Sequence, residues 1–154
     1  MKTKAIRLLI IFSLPVTMGL NAQNNDTTAV MKAATDFVVA FNNLDWPTFR
    51  ASFTEDVTIF NPFWKQASRI EGQQEAEAFW LTIFPEFDDP KSTRKLQINP
   101  KDLKIQLYGQ TAIVTFNLGD GVNKISRRTL VMVNKDSSWK IAHLHASSIS
   151  KNNR

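Results

Sequence analysis

From residue 30 onward apolar side chains recur at three- and four-residue steps: Val30, Ala34, Phe37, Val38, Phe41 and Leu44. That spacing places them on one stripe of a helix, with Lys32, Asp36 and Asn43 on the other side. Asp26, Thr27 or Thr28 can cap its start, and Asn42-Asn43-Leu44-Asp45 closes it. Asp45 then caps a short second helix, with Pro47 early in its first turn, where a missing N–H costs little. Trp46, Phe49 and Phe53 are spaced to pack along that helix, and Thr54-Glu55-Asp56 ends it. Val57 to Phe60 is β-branched and aromatic, which predicts a strand, broken at Asn61-Pro62. A third apolar stripe, Ala76, Phe79, Trp80, Ile83, Phe84 and Phe87, predicts a third helix, kinked or stopped at Pro85. The remainder reads as strands: 103–108, 111–118, 126–134 and 138–148. Gly109-Gln110, Gly119-Asp120-Gly121 and Lys135-Asp136-Ser137 punctuate them as turns. Strands joined this tightly are antiparallel. Helices early and a sheet late define an α+β layer with the helices on one face.

The first residues stand outside this pattern. Lys2, Lys4 and Arg7 precede a short apolar run, Leu8 to Leu14, which is followed by Pro15 and then Leu20-Asn21-Ala22. This is the layout of a secretory signal peptide cleaved after Ala22, and the run is too short for a stable membrane anchor. The predicted organisation is a signal peptide over 1–22, a flexible leader over 23–28 and one domain over 29–150. The predicted location is outside the cell or in a bacterial periplasm, with no membrane contact after cleavage.

Export changes the charge. Lys2, Lys4 and Arg7 are three of the 19 basic residues, so the formal +5 falls to +2 without them. No Lys/Arg cluster remains to bind nucleic acid. The absence of cysteine excludes disulfides, thiolate chemistry and sulfur-bound metals.

Four stretches together resemble the nuclear-transport-factor-2-like superfamily, and within it the SnoaL-like group. They are Ala40-Phe41-Asn42-Asn43-Leu44-Asp45 followed by Phe49 and Phe53 to Val57; Ile70-Glu71-Gly72; Gln110 to Thr115; and Arg127 to Val131 followed by Trp139 to Ser147. The last is also similar to the end of the calcium/calmodulin-dependent protein kinase II association domain. The resemblance implies a cone: a bent antiparallel sheet wrapped around the N-terminal helices, open at one end to a small-molecule pocket. It further implies a homodimer through the outer sheet face. The same cone serves isomerases, dehydratases, cyclases and proteins without chemistry, so fold alone does not give function.

Strand alternation sorts the candidate site residues. Arg128, Leu130 and Met132 share a face that reads as the core side, which directs Arg128 toward the cone; a bulge would reverse such an assignment. Its guanidinium suits a carboxylate or other anion, and a salt bridge to Asp120 or Asp102 is the alternative. His143 and His145 share a face of the last strand, with Trp139, Ile141 and Ser147. They read as a metal pair, as a base with its helper, or, most economically, as a polar row on the outer face. No motif supplies a third metal ligand, and no cofactor is predicted. Asp56 reads as a turn residue or, through the resemblance, as an acid at the pocket. Phe60, Trp64, Trp80 and Asn117 complete the predicted ligand-binding set with Arg128 and His143, and Trp64 is placed as lining or lidding the opening. The tyrosine and carboxyl pair of a ketosteroid-isomerase-type site is missing, since Tyr108 is the only tyrosine and sits at a turn. The sequence thus favours a domain binding a small, partly apolar or anionic ligand. The alternatives are a lyase or isomerase using Asp56 or His145 as base, and a homodimeric assembly module.

Overall fold

The computed structural model describes residues 18–63, 69–89, 91–119 and 124–150. Trp64, Asp120 and residues 1–17 of the predicted signal peptide lie outside them. In chain order the elements are α1 (Met18–Asn43), α2 (Trp46–Ala51), β1 (Phe53–Phe60), β2 (Ile70–Glu71), α3 (Gly72–Ile83), a single 3₁₀ turn (Pro85–Asp88), β3 (Lys101–Tyr108), β4 (Thr111–Gly119), β5 (Lys124–Lys135) and β6 (Ser138–Ser150). The strands form one curved sheet in the order β2-β1-β6-β5-β4-β3. β3 to β6 run antiparallel in sequence. β1 joins the free side of β6 in parallel.

Two boundaries differ from the sequence reading by more than two residues. α1 begins at Met18, so residues 23–28, predicted as a loose leader, lie within helix. Neither Pro nor Gly interrupts the chain from Leu20 to Asn43, and a helix already nucleated by its packed stripe extends at little cost per residue. β1 begins at Phe53, so Thr54-Glu55-Asp56 is strand and not a helix end. Pairing decides this: Phe53 lies opposite Ile141, and the Ile141 N–H donates to the Ser52 carbonyl at 2.8 Å.

The turns follow local chemistry. α1 ends in a Schellman motif, with the Asp45 N–H reaching the Ala40 carbonyl at 2.9 Å. Leu44 takes the left-handed position at φ 53°, and the strain there is offset by burying its side chain. Asp45 Oδ1 accepts from the Thr48 N–H and caps α2. Asp136 and Ser137, at φ 52° and 63°, make the two-residue turn whose twist matches an antiparallel hairpin.

The core lies between the helices and the concave sheet face. Phe37 and Phe41 of α1, Phe49 of α2, Phe53 of β1, Trp80 of α3, and Phe84 and Phe87 beyond it form one ring cluster. Its centroid spacings run from 4.9 Å for Phe49–Phe87 to 6.5 Å for Phe37–Phe41. The sheet contributes Val57, Ile59, Ala112, Val114, Phe116, Leu130, Met132, Trp139, Ile141, Leu144 and Ala146, all buried.

β6 departs from simple alternation. Val131 pairs with His143 but Met132 pairs with Ile141, so Ala142 is an extra residue, a bulge. Alternation alone groups Trp139 and Ile141 with the histidines. The bulge separates them: Trp139 and Ile141 face the core with Leu144 and Ala146, and His143 and His145 face outward. The bulge lets both halves of a long strand bury their large apolar side chains on one side.

Candidate functional site

A cavity of about 210 Å³ opens between α1, α3 and the concave face of the sheet. Phe37, Phe41, Trp80, Phe84, Phe116 and Leu144 make much of its wall, with Val38, Ile83, Ile98 and Leu118 between them. The polar side chains of its wall are few. Asn61, just past β1, has its Oδ1 held by the Phe63 N–H at 3.0 Å. The Trp80 indole Nε1 is buried with no acceptor among the described residues. The third is Arg128.

Arg128 sits on β5 directly between Phe116 of β4 and Ala146 of β6, both buried on the inner face. Its Nη1 donates to Ser126 Oγ at 2.6 Å and to the Arg127 carbonyl at 2.9 Å. Ser126 Oγ in turn lies 3.2 Å from both the Ser147 carbonyl and Ser148 Oγ. These contacts orient the guanidinium, and among the described residues the other N–H groups of its five-donor fork have no acceptor. The ion pairs among the described residues are Lys32–Asp36, Arg50–Glu77, Arg69–Glu71 and Arg94–Glu86; none of them involves Arg128. Asp102, one of the two acids named for it, accepts from the Asn117 amide at 3.2 Å instead. Burial away from water pulls the Arg128 pKa below its ordinary value. A positive charge is therefore held at an apolar wall, neutralised by no side chain among the described residues.

The segment from Lys91 to Pro100, which has no regular structure, reaches the cavity through a clamp. Asn42, near the end of α1, donates from Nδ2 to the Ile98 carbonyl at 2.9 Å and accepts the Ile98 N–H on Oδ1 at 2.7 Å. The Leu96 N–H bonds to the Asn42 carbonyl at 2.8 Å. One side chain thus pins Ile98 into the wall.

Of the residues picked out by sequence, Trp80 and Arg128 line this cavity. Asn117, Phe60, His143, His145 and Asp56 do not. Asn117 alternates with the buried Phe116 and turns to the outer face, against Asp102. Phe60 is 40 % exposed there, with its ring centroid 5.9 Å from each histidine ring. His143 Nδ1 lies 2.8 Å from Thr58 Oγ1. Desolvation lowers its pKa, with smaller contributions from His145 and Arg69. His145 is exposed, and Asp56 is exposed on β1. Among the described residues no group of three His, Asp or Glu side chains gathers as a metal site. Wall residues that sequence reasoning passed over include Phe41, Phe84, Phe116, Asn61 and Ile98. The first two belong to recognised helical stripes; Ile98 carries no periodic signal at all.

A bent six-stranded sheet closed over helices, with a pocket on its concave side, is the nuclear-transport-factor-2-like fold. The chain belongs to the SnoaL-like domain family, whose profile matches residues 30–151. Among solved structures it is similar to an NTF2-like protein of unknown function from Pseudomonas putida, with TM-score 0.68 and 15% identity over 85% of this chain and 98% of that one. It is also similar to a structure described as a candidate dehydratase of the NTF2-like family from Streptomyces avermitilis, with TM-score 0.67 and 21% identity over 82% and 97%. A third likeness is to the CaMKII hub of S. rosetta, with TM-score 0.62 and 23% identity over 79% and 95%. No curated protein matches the chain. Identities this low speak to the fold alone.

Proposed function

We propose that the domain binds a small, partly apolar anion in the concave cavity, with Arg128 as the anion's partner. The observation that carries this is a guanidinium that has no carboxylate partner among the described residues and stands at a largely apolar wall. A charge kept there without a carboxylate partner costs folding free energy, and an anionic ligand would return that cost as binding. The side chains named for base chemistry, Asp56 and His145, stand outside this cavity, which favours binding over a lyase or isomerase reaction. A thermal-shift screen of small organic acids tests the reading. At least one acid raises the melting temperature of the wild type in a saturable way and fails to do so with Arg128→Gln. A screen in which no acid stabilises the wild type removes the proposal.

A second reading concerns assembly. The outer sheet face exposes Phe60, Tyr108 and Ile149 around Thr129, Val131 and the two histidines, and suits pairing with a second copy across roughly 1,200–2,000 Å². The similarity to a hub structure supports it. Sedimentation velocity should show a dimer that Val131→Lys dissociates; a wild-type monomer at high concentration rejects it.

Export is proposed on the sequence of residues 1–22. Cleavage after Ala22 would trim the start of α1 and leave the stripe from Val30 to Leu44 intact. Mass spectrometry of protein recovered from a bacterial periplasm should find Gln23 as the first residue; an intact Met1 there contradicts it.

A further inference from the structure

The size and lining of the cavity narrow the ligand beyond its charge. An apolar protein cavity of about 150 Å³ accepts one benzene ring, and pockets that hold drug-sized molecules run from about 300 Å³ upward. At about 210 Å³ this open-mouthed cavity can enclose one six-membered ring and a short substituent, but not a fused-ring skeleton. Its wall is built for a ring, since Phe37, Phe41, Trp80, Phe84 and Phe116 all present aromatic surface to it, and rings pair with rings edge-on or offset. Those side chains also pack on one another, with Phe41–Phe84 at 5.0 Å and Phe41–Trp80 at 5.6 Å. The wall is thus braced from behind and does not readily widen. Arg128 brings a forked donor, matched to two carboxylate oxygens.

We infer that the ligand is a monocyclic aromatic carboxylic acid of the size of benzoate or phenylacetate, seated with its ring among the aromatic side chains and its carboxylate on Arg128. This rests on the proposed anion site and adds a ring requirement and a size ceiling.

Calorimetric titration of the chain with four probes separates these elements: phenylacetate, acetate as charge without ring, benzyl alcohol as ring without charge, and cholate as a fused-ring carboxylate. Phenylacetate should bind at least about tenfold more tightly than each of the other three: benzyl alcohol lacks the charge-assisted hydrogen bond, which contributes about that factor or more, acetate lacks the buried ring, and cholate is larger than the cavity. Arg128→Gln should weaken phenylacetate by about tenfold or more and leave benzyl alcohol within about twofold. Arg128→Lys, which keeps the charge but not the fork, should fall between them and serves if the Gln variant does not fold. Cholate binding as tightly as phenylacetate, and lost with Arg128→Gln, overturns the size ceiling while the anion site stands. Acetate equal to phenylacetate overturns the ring requirement in the same way. No binding by any of the three carboxylates removes the inference and the anion site together.

Discussion

Phe49 is the hinge of the aromatic core, and replacing it by alanine is the sharpest test of how the cavity is supported. The side chain is fully buried. It touches Phe37, Phe41, Trp46, Phe53, Trp80 and Phe87 at centroid distances of 5.3, 5.2, 6.2, 5.3, 5.1 and 4.9 Å. A phenylalanine buries on the order of 200 Å², which at about 25 cal/mol/Å² corresponds to about 5 kcal/mol. Alanine keeps part of that area, and the void left among six rings adds a cavity penalty, so the net loss is about 3–5 kcal/mol. A domain of this length loses about 3–5 °C of melting temperature per kcal/mol, so Phe49→Ala should melt roughly 10–25 °C below the wild type. Three of the six neighbours, Phe37, Phe41 and Trp80, are cavity wall, so ligand-induced stabilisation should shrink as well. Val39→Ala on the exposed side of α1, where the side chain is 49 % exposed, is the control and should cost about 1 kcal/mol or less. Chemical denaturation with tryptophan fluorescence measures both variants. A Phe49→Ala variant within about 1 kcal/mol of wild type would refute the packing argument.

His143 makes stability depend on pH. Its pKa in the folded protein lies below the ordinary histidine value. Above about pH 6.5 both states are neutral, and below it the unfolded chain takes up the proton first, so stability falls as pH falls through that range until the folded form protonates too. His143→Gln should lose less melting temperature than wild type between about pH 7.5 and pH 5; parallel melting curves against pH would contradict this. Asn42→Ala breaks both hydrogen bonds to Ile98 and should cost about 1–3 kcal/mol. Hydrogen exchange at the Ile98 amide should rise by about tenfold or more, and exchange unchanged at that amide would show that the clamp holds nothing.

The helical stripes were legible because burial on one side of a helix imposes a 3.6-residue period: Phe37, Phe41, Trp80 and Phe84 all sit where that period puts them. The hairpins were legible through their turns. Arg128 could be directed inward because β5 runs without a bulge between Arg128 and Met132, so its alternation survives. β6 could not be read the same way. Its alternation changes phase at Ala142, and only the register against β5 reveals an extra residue. The start of β1 was hidden for a related reason, since Phe53 pairs with Ile141 of β6, far away in sequence. The clamp from Asn42 to Ile98 joins a helix end to an irregular segment 56 residues on, with no period on either side to announce it. The outward-facing residues Asn117, Phe60 and His143 entered the ligand set by residue type, and type does not specify a face.

The central claim is that Arg128 keeps its guanidinium free for an anion in the cavity. A crystal structure of the chain grown with phenylacetate tests it most directly. The account predicts carboxylate oxygens within about 3 Å of the Arg128 nitrogens and a ring between Phe41, Trp80 and Phe116. A guanidinium paired instead with a carboxylate of the chain itself, such as Asp120, in a cavity closed to the probe would contradict it.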